Sequence, residues 1–545
     1  IFLLSVMRGG SSCSFIVLLV LCLALTVLGN SCDRCMETET ILYLDPALQH
    51  DTHFVHSTLS TIESLCATSY TTSYEVMECI ETATDYVDDV FRDVNSESEH
   101  ANDVQQIRTE TLCSEIGACA VSCCLSDYDP EQIHLSVALD PSVMVVSWVT
   151  YKALDDPTVY YHRPSSGVTF ITPADISTYR AGGWRGKIYN ATLSGLEPGE
   201  VYFYQIEGTY DDKKHITNNF TFTTDITPSS EPLYSRSLAN ASTPYEPGVS
   251  ACVVAYLADL STTDHSYENT QSLAKLVGNG TVQLVVQGGD LSYADGDQSQ
   301  WDEYMRMTES YGDSVAVMAA PGNHENYHHF AAYNNRFFMP NAQSGSKSQQ
   351  YFSFNYEKIH FVSWSYEQLG GLDLRKHGRQ RKWLEDDLAQ ANLERDVRPW
   401  IVLFGHRPFY CSSDSSDCTS TAEHLRNELE DTINQYHVDI VLQGHKHNYE
   451  RTYPVYQSEA TARNYTDPAA PMYYVVGVGG VAQNTDFDII KPRWSAYRDE
   501  AYGFLLMSAP SNETLEMVYL STSLNQHDSA TITRTKPITD WSFSH

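Results

Sequence analysis

Apolar and polar positions alternate in two different ways along this chain, and the change falls near residue 250. From Asp129 to Lys152, "DPEQIHLSVALDPSVMVVSWVTYK", apolar residues recur at every second position. "DPS" interrupts the run, as two short strands and a turn require. "IYNATLSGLEPGEVYFYQIEG" repeats the scheme, with "GLEPGE" as its turn. Short half-buried strands at regular turn spacing predict a β-sandwich of fibronectin type III character, ending near Thr224. The polar, proline-bearing stretch "ITPSSEPLYSRSLANASTPYEPG" follows and reads as a linker.

Beyond the linker the apolar runs become continuous and take turns with helical periodicity. "ACVVAYLADL", "VQLVVQGGD", "VAVMAAPGNHE", "PWIVLFGHRP" and "DIVLQGHKHNYE" are expected strands. "TQSLAKLVGNG", "RKWLEDDLAQANLE" and "TAEHLRNELEDTINQYHV" are expected helices. Strand and helix in alternation predict an α/β layered domain.

The chemistry stands where these runs stop. Asp259 follows the first strand, and Asp290 and Tyr293 follow the second. Asn323 and His324 follow the third, His406 the fourth, and His445 and His447 the fifth. In open α/β sheets ligands bind outside the carboxyl ends of the strands, where such residues converge. A single Asp after a strand is commonly a cap or turn residue, and a single His commonly a structural one. Five successive strand ends with oxygen and imidazole donors, four of them preceded by glycine, instead suit a pair of metal ions.

Charge and cysteine usage narrow the setting. The net charge of -36 over 545 residues disfavours nucleic acid as a partner, though not a small phosphorylated substrate. An isoelectric point near 4.7 is compatible with an acidic compartment. Residues 1–30 contain the apolar run "FIVLLVLCLALTVLG" behind Met7 and Arg8 and read as a secretory signal peptide, with a membrane anchor as the alternative. Eight of thirteen cysteines lie between Cys32 and Cys124, in an acidic segment with helical spacing. Residues 31–128 are therefore expected to form a Cys-rich, disulfide-braced helical module. Cys411 and Cys418 flank a polar loop as a local disulfide would, and Cys252 is expected as a free buried thiol. Sequons at Asn190, Asn219, Asn240, Asn279, Asn464 and Asn512 suit a secreted glycoprotein.

The ordered set Asp259, "GDLSY", "GNHE", "LFGH" and "GHKH" resembles the purple acid phosphatase family of dimetal metallophosphoesterases. "PEQIHLSV", "YNNRFFMP", "HRPFYCSS" and "HNYERTYPVY" extend the resemblance over about residues 129–525. It implies a fibronectin type III-like domain at 129–235 and an α/β/β/α layered catalytic domain at 245–545. It further implies an Fe(III) held by Asp259, Tyr293 and His447, and a divalent Fe, Zn or Mn held by Asn323, His406 and His445. Asp290 would bridge the two, and His324 would serve the substrate phosphate as the catalytic residue outside the metal shell. The implied activity is hydrolysis of phosphate monoesters at acidic pH, by direct attack of a metal-bound hydroxide. Small phosphorylated molecules or phosphoproteins would be the substrates of a secreted, lysosomal or vacuolar enzyme with no stable membrane span, with room for a homodimer.

Three departures from the family pattern stand out. Ser261 occupies the usual glycine position of the first motif, and Leu403 the usual valine of the fourth. The histidine pair that follows the fourth motif in plant members is missing from "FYCSSDSSDC", which leaves His324, or His328 and His329, for the outer sphere. Asp264 and His265 lie past the expected strand tip. Other metallophosphoesterases place a histidine where Ser261 stands, and Tyr293 takes over that donor role here. A non-catalytic secreted binding protein is the alternative of another class; the filling of all seven ligand positions weighs against it.

Overall fold

The computed structural model describes residues 126–164, 166–225, 251–483 and 487–535. The expected signal peptide, most of the Cys-rich module, the linker and Asn240 lie outside the described residues.

Nine strands form the first part: β1 (Glu131–Val137), β2 (Met144–Thr150), β3 (Asp155–His162), β4 (Thr169–Pro173), β5 (Asp175–Ser177), β6 (Lys187–Leu193), β7 (Val201–Tyr210), β8 (Lys213–Ile216) and β9 (Phe220–Thr223). The period-2 pattern does what it predicts: in β7 Tyr202, Tyr204 and Ile206 are buried between partly exposed neighbours. One sheet runs β4-β3-β7-β8 with β9 also on β7, and the other runs β1-β2-β6-β5.

The α/β part follows with β10 (Val253–Leu257), β11 (Leu284–Gly288), β12 (Ala316–Ala320), β13 (Phe352–Tyr356), β14 (Ile359–Ser363), β15 (Trp400–Phe404), β16 (Ile440–Gln443) and β17 (Tyr449–Thr452). A two-residue ribbon, β18 (Val455–Tyr456) with β19 (Glu459–Ala460), precedes β20 (Met472–Val476), β21 (Ser495–Asp499), β22 (Gly503–Ser508), β23 (Thr514–Ser521) and β24 (Gln526–Thr533). One sheet has the order β13-β14-β15-β16-β20-β17-β21. The other is continuous with the sandwich: β24-β23-β22-β10-β11-β12 joins β1-β2-β6-β5 through a parallel pairing of β1 with β12, Leu135 opposite Ala316. The central strands β10, β11, β12, β15 and β16 are buried along their whole length, which is why they read as unbroken apolar runs.

Helix α1 (Asp264–Gly278) is capped by Thr263, whose hydroxyl accepts from the Ser266 N–H. Helices α2 (Gln298–Gly312), α3 (Ala331–Arg336) and α4 (Arg379–Leu393) follow. Trp383, Leu384 and Leu388 of α4 enter one core with Trp364, Phe409, Leu425, Leu429 and Ile433. The helix expected from "TAEHLRNELEDTINQYHV" is a run of short segments over 417–435 that includes two wide, π-type turns. Its core residues still recur every fourth position, so the apolar stripe survives the change in winding.

The carboxyl ends of both sheets of the α/β part meet, with Ala258 N donating to Val476 O at 3.2 Å. Cys411 and Cys418 are bonded, and Cys252 is free and buried ahead of β10. Tyr179 stacks on Trp184 at 4.5 Å and donates to Gln298 Oε1 at 2.6 Å. Among the described residues no helix is long and apolar enough to cross a membrane.

Candidate metal centre

The loops after β10, β11, β12, β15 and β16 carry every residue picked out at the strand ends, and they crowd one another. Gly289 has φ +90°, and a Cβ there would stand 2.7 Å from Gly322 N. A Cβ at Gly322 would stand 2.2 Å from Asp290 Oδ1. Only glycine lets these two loops touch.

Two donor groups result. In the first, Tyr293 Oη donates to Asp259 Oδ1 at 2.9 Å and lies 2.9 Å from His447 Nε2, which is 3.4 Å from the same carboxylate oxygen. In the second, His406 Nε2 lies 3.0 Å from Asp290 Oδ2, 3.1 Å from Asn323 Oδ1 and 3.1 Å from His445 Nδ1. His324 stands beside both: its ring packs on Tyr293 at 4.2 Å, its Nδ1 is 2.5 Å from Asp295 Oδ1, and its Nε2 is 3.9 Å from Asp290 Oδ2.

The surroundings fix these side chains. Glu325, 2 % exposed, accepts the N–H groups of Gly322, Asp290 and Leu291 at 2.7, 2.8 and 2.9 Å, and so ties the second strand end to the third. Asp259 Oδ2 accepts the His445 N–H at 2.8 Å, tying the first to the fifth. Gly288 O and Ala482 O orient His406 and His447 through their Nδ1 atoms at 3.1 and 2.7 Å. With Nδ1–H donated in each case, Nε2 of both rings is free to act as a lone-pair donor.

Burial would raise the Asp290 and Asp259 carboxyls, but the facing imidazoles, His406 foremost for Asp290 and His447 for Asp259, hold both below the usual carboxylate range. Burial likewise opposes charge on His406 and His324. Asp290 carries the first up to about 9, and Asp295 with Asp290 carries the second up to about 9. Burial and the Asp259 and Asp290 charges push the Tyr293 phenol well up.

The donor types fit a pair of cations. Nε2 of His406, Nδ1 of His445, Asn323 Oδ1 and Asp290 Oδ2 turn their lone pairs toward a common region, an arrangement that repels itself unless a cation or a shared proton lies among them. Among the described residues, Asp290, His406 and His445 each bring one ligand atom within 4.8 Å of the others.

Sequence reasoning missed Glu325, Asp295, Glu367, Arg407 and Asp417. Arg407 Nε donates to Glu367 Oε1 at 2.7 Å and its Nη1 to Asp417 Oδ1 at 3.1 Å, while His445 Nε2 lies 3.2 Å from that same Asp417 oxygen. Two of these had a signal: Glu325 closes "GNHE", and Arg407 directly follows His406. His328 and His329 occupy a one-turn helix, Tyr327–Phe330, with left-handed backbone. His265 is half-exposed on α1, stacked on Tyr502 at 4.3 Å. Of the sequons, Asn219, Asn279, Asn464 and Asn512 are exposed, whereas Asn190 is half-buried in β6 and accepts from Ser147 Oγ at 2.6 Å.

Three family models match the chain. The purple acid phosphatase N-terminal domain matches residues 130–224, the calcineurin-like phosphoesterase residues 220–449, and the iron/zinc purple acid phosphatase-like protein C residues 470–529. Acid phosphatase type 7 of Homo sapiens is 31% identical over 398 residues, 69% of this chain and 84% of the relative. Purple acid phosphatase 23 of Arabidopsis thaliana is 30% identical over 410 residues, 67% of this chain and 81% of the relative. The solved purple acid phosphatase PPD1 from yellow lupin shares the fold, with a TM-score of 0.65 at 24% identity over 74% of each chain.

Proposed function

The chain belongs to the purple acid phosphatase family and is an acid phosphatase with a dimetal centre, and from that premise we propose which residues build the centre and what each one does. Asp259, Tyr293 and His447 would hold Fe(III), because carboxylate and phenolate oxygens are hard donors that favour a trivalent ion. Asn323, His406 and His445 would hold a divalent Fe, Zn or Mn, because an amide oxygen and two imidazoles carry no charge of their own. Asp290 would be shared between them. The single observation that carries this reading is the sorting of the seven side chains into two donor groups: two oxygens with one imidazole around Tyr293, and two imidazoles with an amide oxygen and the Asp290 carboxylate around His406.

When bound, such a pair supplies an activated water and the positive charge that holds a phosphate. The chain's own residues do the rest. Asp259 and Asp290, kept ionised by their imidazole neighbours, supply the negative charge that the cations need. Glu325 keeps the Asp290 and Asn323 loops in register by holding three backbone N–H groups. His324, protonated at acidic pH and steadied by Asp295 and the Tyr293 ring, is placed to give its Nε2 proton to the leaving alkoxide or to hold the phosphate. Its side chain is 30 % exposed, so it can meet a substrate that the buried ligands cannot.

In this reading the enzyme hydrolyses phosphate monoesters at acidic pH, on small molecules or phosphoproteins, outside the cell or in an acidic compartment. Residues 1–30 are the signal peptide, 31–128 the Cys-rich module, 129–235 the sandwich and 245–545 the catalytic domain. Exposed Asn219, Asn279, Asn464 and Asn512 are the sequons best placed for glycans.

Metal analysis and a visible spectrum of the purified chain test the assignment. One iron and one divalent ion per chain, with a broad visible band that Tyr293→Phe removes, is the expected result. A colourless protein holding two zinc ions would sink the iron–tyrosinate part and leave hydrolysis standing.

A further inference from the structure

The imidazole of His445 is shared between two partners that ask for opposite tautomers. Its Nδ1 faces the second donor group, 3.1 Å from His406 Nε2. Its Nε2 faces away from that group, 2.7 Å from Arg407 Nη1 and 3.2 Å from Asp417 Oδ1. A guanidinium only donates and a carboxylate only accepts. Paired with Arg407, Nε2 must be a lone pair, and the ring proton then sits on Nδ1, pointing into the group that is to hold a cation. Paired with Asp417, Nε2 carries the proton and Nδ1 presents its lone pair.

We propose that Asp417 is a positioning residue that selects the metal-competent tautomer of His445 against the competing pull of Arg407. The inference rests on the assignment of His445 as a ligand of the divalent ion.

The local structure is arranged for this. Asp417 directly precedes Cys418, whose bond to Cys411 closes a short loop leading off the His406 strand end. That loop is anchored from outside, with Ser412 N donating to Glu450 Oε2 at 2.8 Å and Asp488 N to Ser412 O at 2.9 Å. Arg407 is held from its other side by Glu367 at 2.7 Å, so it cannot simply swing away from the ring. Both N–H groups, of Arg407 and of His445, then share Asp417 Oδ1 as their common acceptor. Removing Asp417 does more than delete an outer-sphere hydrogen bond. It leaves Arg407 as the partner of Nε2 among the groups described around the ring, and so favours the wrong tautomer.

A pair of variants separates this from ordinary structural support. The full chain is dialysed to equilibrium against graded free Zn(II), and bound metal is counted per chain. Wild type is expected to take up two ions. Asp417→Ala should weaken one of them by about 10- to 100-fold, the range for lost outer-sphere partners of ligating histidines, and leave the other unchanged. Asp417→Asn, which keeps an acceptor oxygen without the charge, should fall between the two, and serves as the readout if the alanine variant does not fold. Adding Arg407→Met to either variant should restore a large part of the lost affinity, because the competing donor is gone. Unchanged binding in both single variants would overturn the proposal, and so would a second substitution that deepens the loss. Two ions in wild type with no effect of Asp417 would sink the tautomer inference alone. Fewer than two ions in wild type would sink the ligand assignment, and this inference with it.

Discussion

Asp290 at the strand tips and Glu357 just after β13 are both carboxylic acids almost wholly removed from water, 1 % and 5 % exposed, yet they are driven in opposite directions. Imidazoles outweigh the burial of Asp290 and hold it ionised. Among the described residues Glu357 accepts an N–H from Cys252 at 3.0 Å and its buried Oε1 has no hydrogen-bond partner, and burial carries it up to about 7. Burial sets the cost of charge in both places, and the neighbours decide whether that cost is met. The strand tips are preorganised to hold negative charge and so to take cations. The region of Glu357 is built to hold a neutral acid. Glu309, whose carboxylate accepts the N–H groups of Gln132 and Ile133, behaves like Glu357 and is also raised to about 7 by burial.

The sharpest way to break the contrast is to remove charge from the tip. Asp290→Asn preserves shape and deletes the charge proposed to be shared by both metals. Phosphatase activity should fall to the level of buffer, with both bound ions weakened, while the metal-free chain melts within a few degrees of wild type. Stability is spared because the lost charge also ends its repulsion with Asp259 and Glu325. Activity assays, metal counts and calorimetry on the same preparation check this. Retained activity would remove Asp290 from the centre.

The next effect lies at the other pole. A carboxyl whose folded-state pKa is raised from 4.5 to about 7 binds its proton more tightly in the folded chain. Its contribution to stability is complete below about pH 4.5 and is lost as the pH rises through about 7. Each pKa unit corresponds to about 1.4 kcal/mol, so Glu357 should cost the fold on the order of 2–3 kcal/mol at pH 8 relative to pH 4.5. Glu357→Gln keeps a neutral side chain at every pH. It should melt close to wild type at pH 4.5 and about 2–3 °C above it at pH 8, because about 1 kcal/mol moves the midpoint by only about 1 °C in a chain of this length. Parallel melting curves for the two proteins across that range would show that Glu357 is not held neutral.

How much of this was legible in the sequence follows from how local each signal is. Asp259, Asp290, Asn323, His406 and His445 stand directly after apolar runs, and a strand's end is a local property, so their convergence could be read. The joining of β1 to β12 pairs segments some 180 residues apart and leaves no trace in either. Arg407 and Glu367 stand in turns, and Asp417 opens the first π-type segment just outside the expected helix, where hydrophobic periodicity gives no direction to a side chain. The opposite pKa shifts of Asp290 and Glu357 were out of reach for the same reason, since each depends on which groups the fold brings alongside.

The smallest effect concerns backbone rather than charge. The tips hold Asp259, Ser261, Asp290, Tyr293, Asp295 and His445 at positive φ, between +48° and +69°. Left-handed backbone costs a residue with a side chain about 1–2 kcal/mol relative to the right-handed form, whereas glycine adopts it freely. For the other five the side chain belongs to the proposed metal centre or its immediate support, so that in this reading strain comes with function. Ser261 differs. Its φ is +66°, its N–H already donates to Leu291 O at 2.8 Å, and neither proposed donor group uses its hydroxyl. The usual glycine of the family's first motif is therefore the residue this turn's backbone calls for. Ser261→Gly should raise stability by about 1 kcal/mol or somewhat less, because the added freedom of glycine in the unfolded chain offsets part of the relief. Activity should stay within twofold of wild type. A loss of stability would mean that the serine side chain supports the turn in a way its backbone conformation does not reveal, and the tips would then carry no strain that function leaves unclaimed.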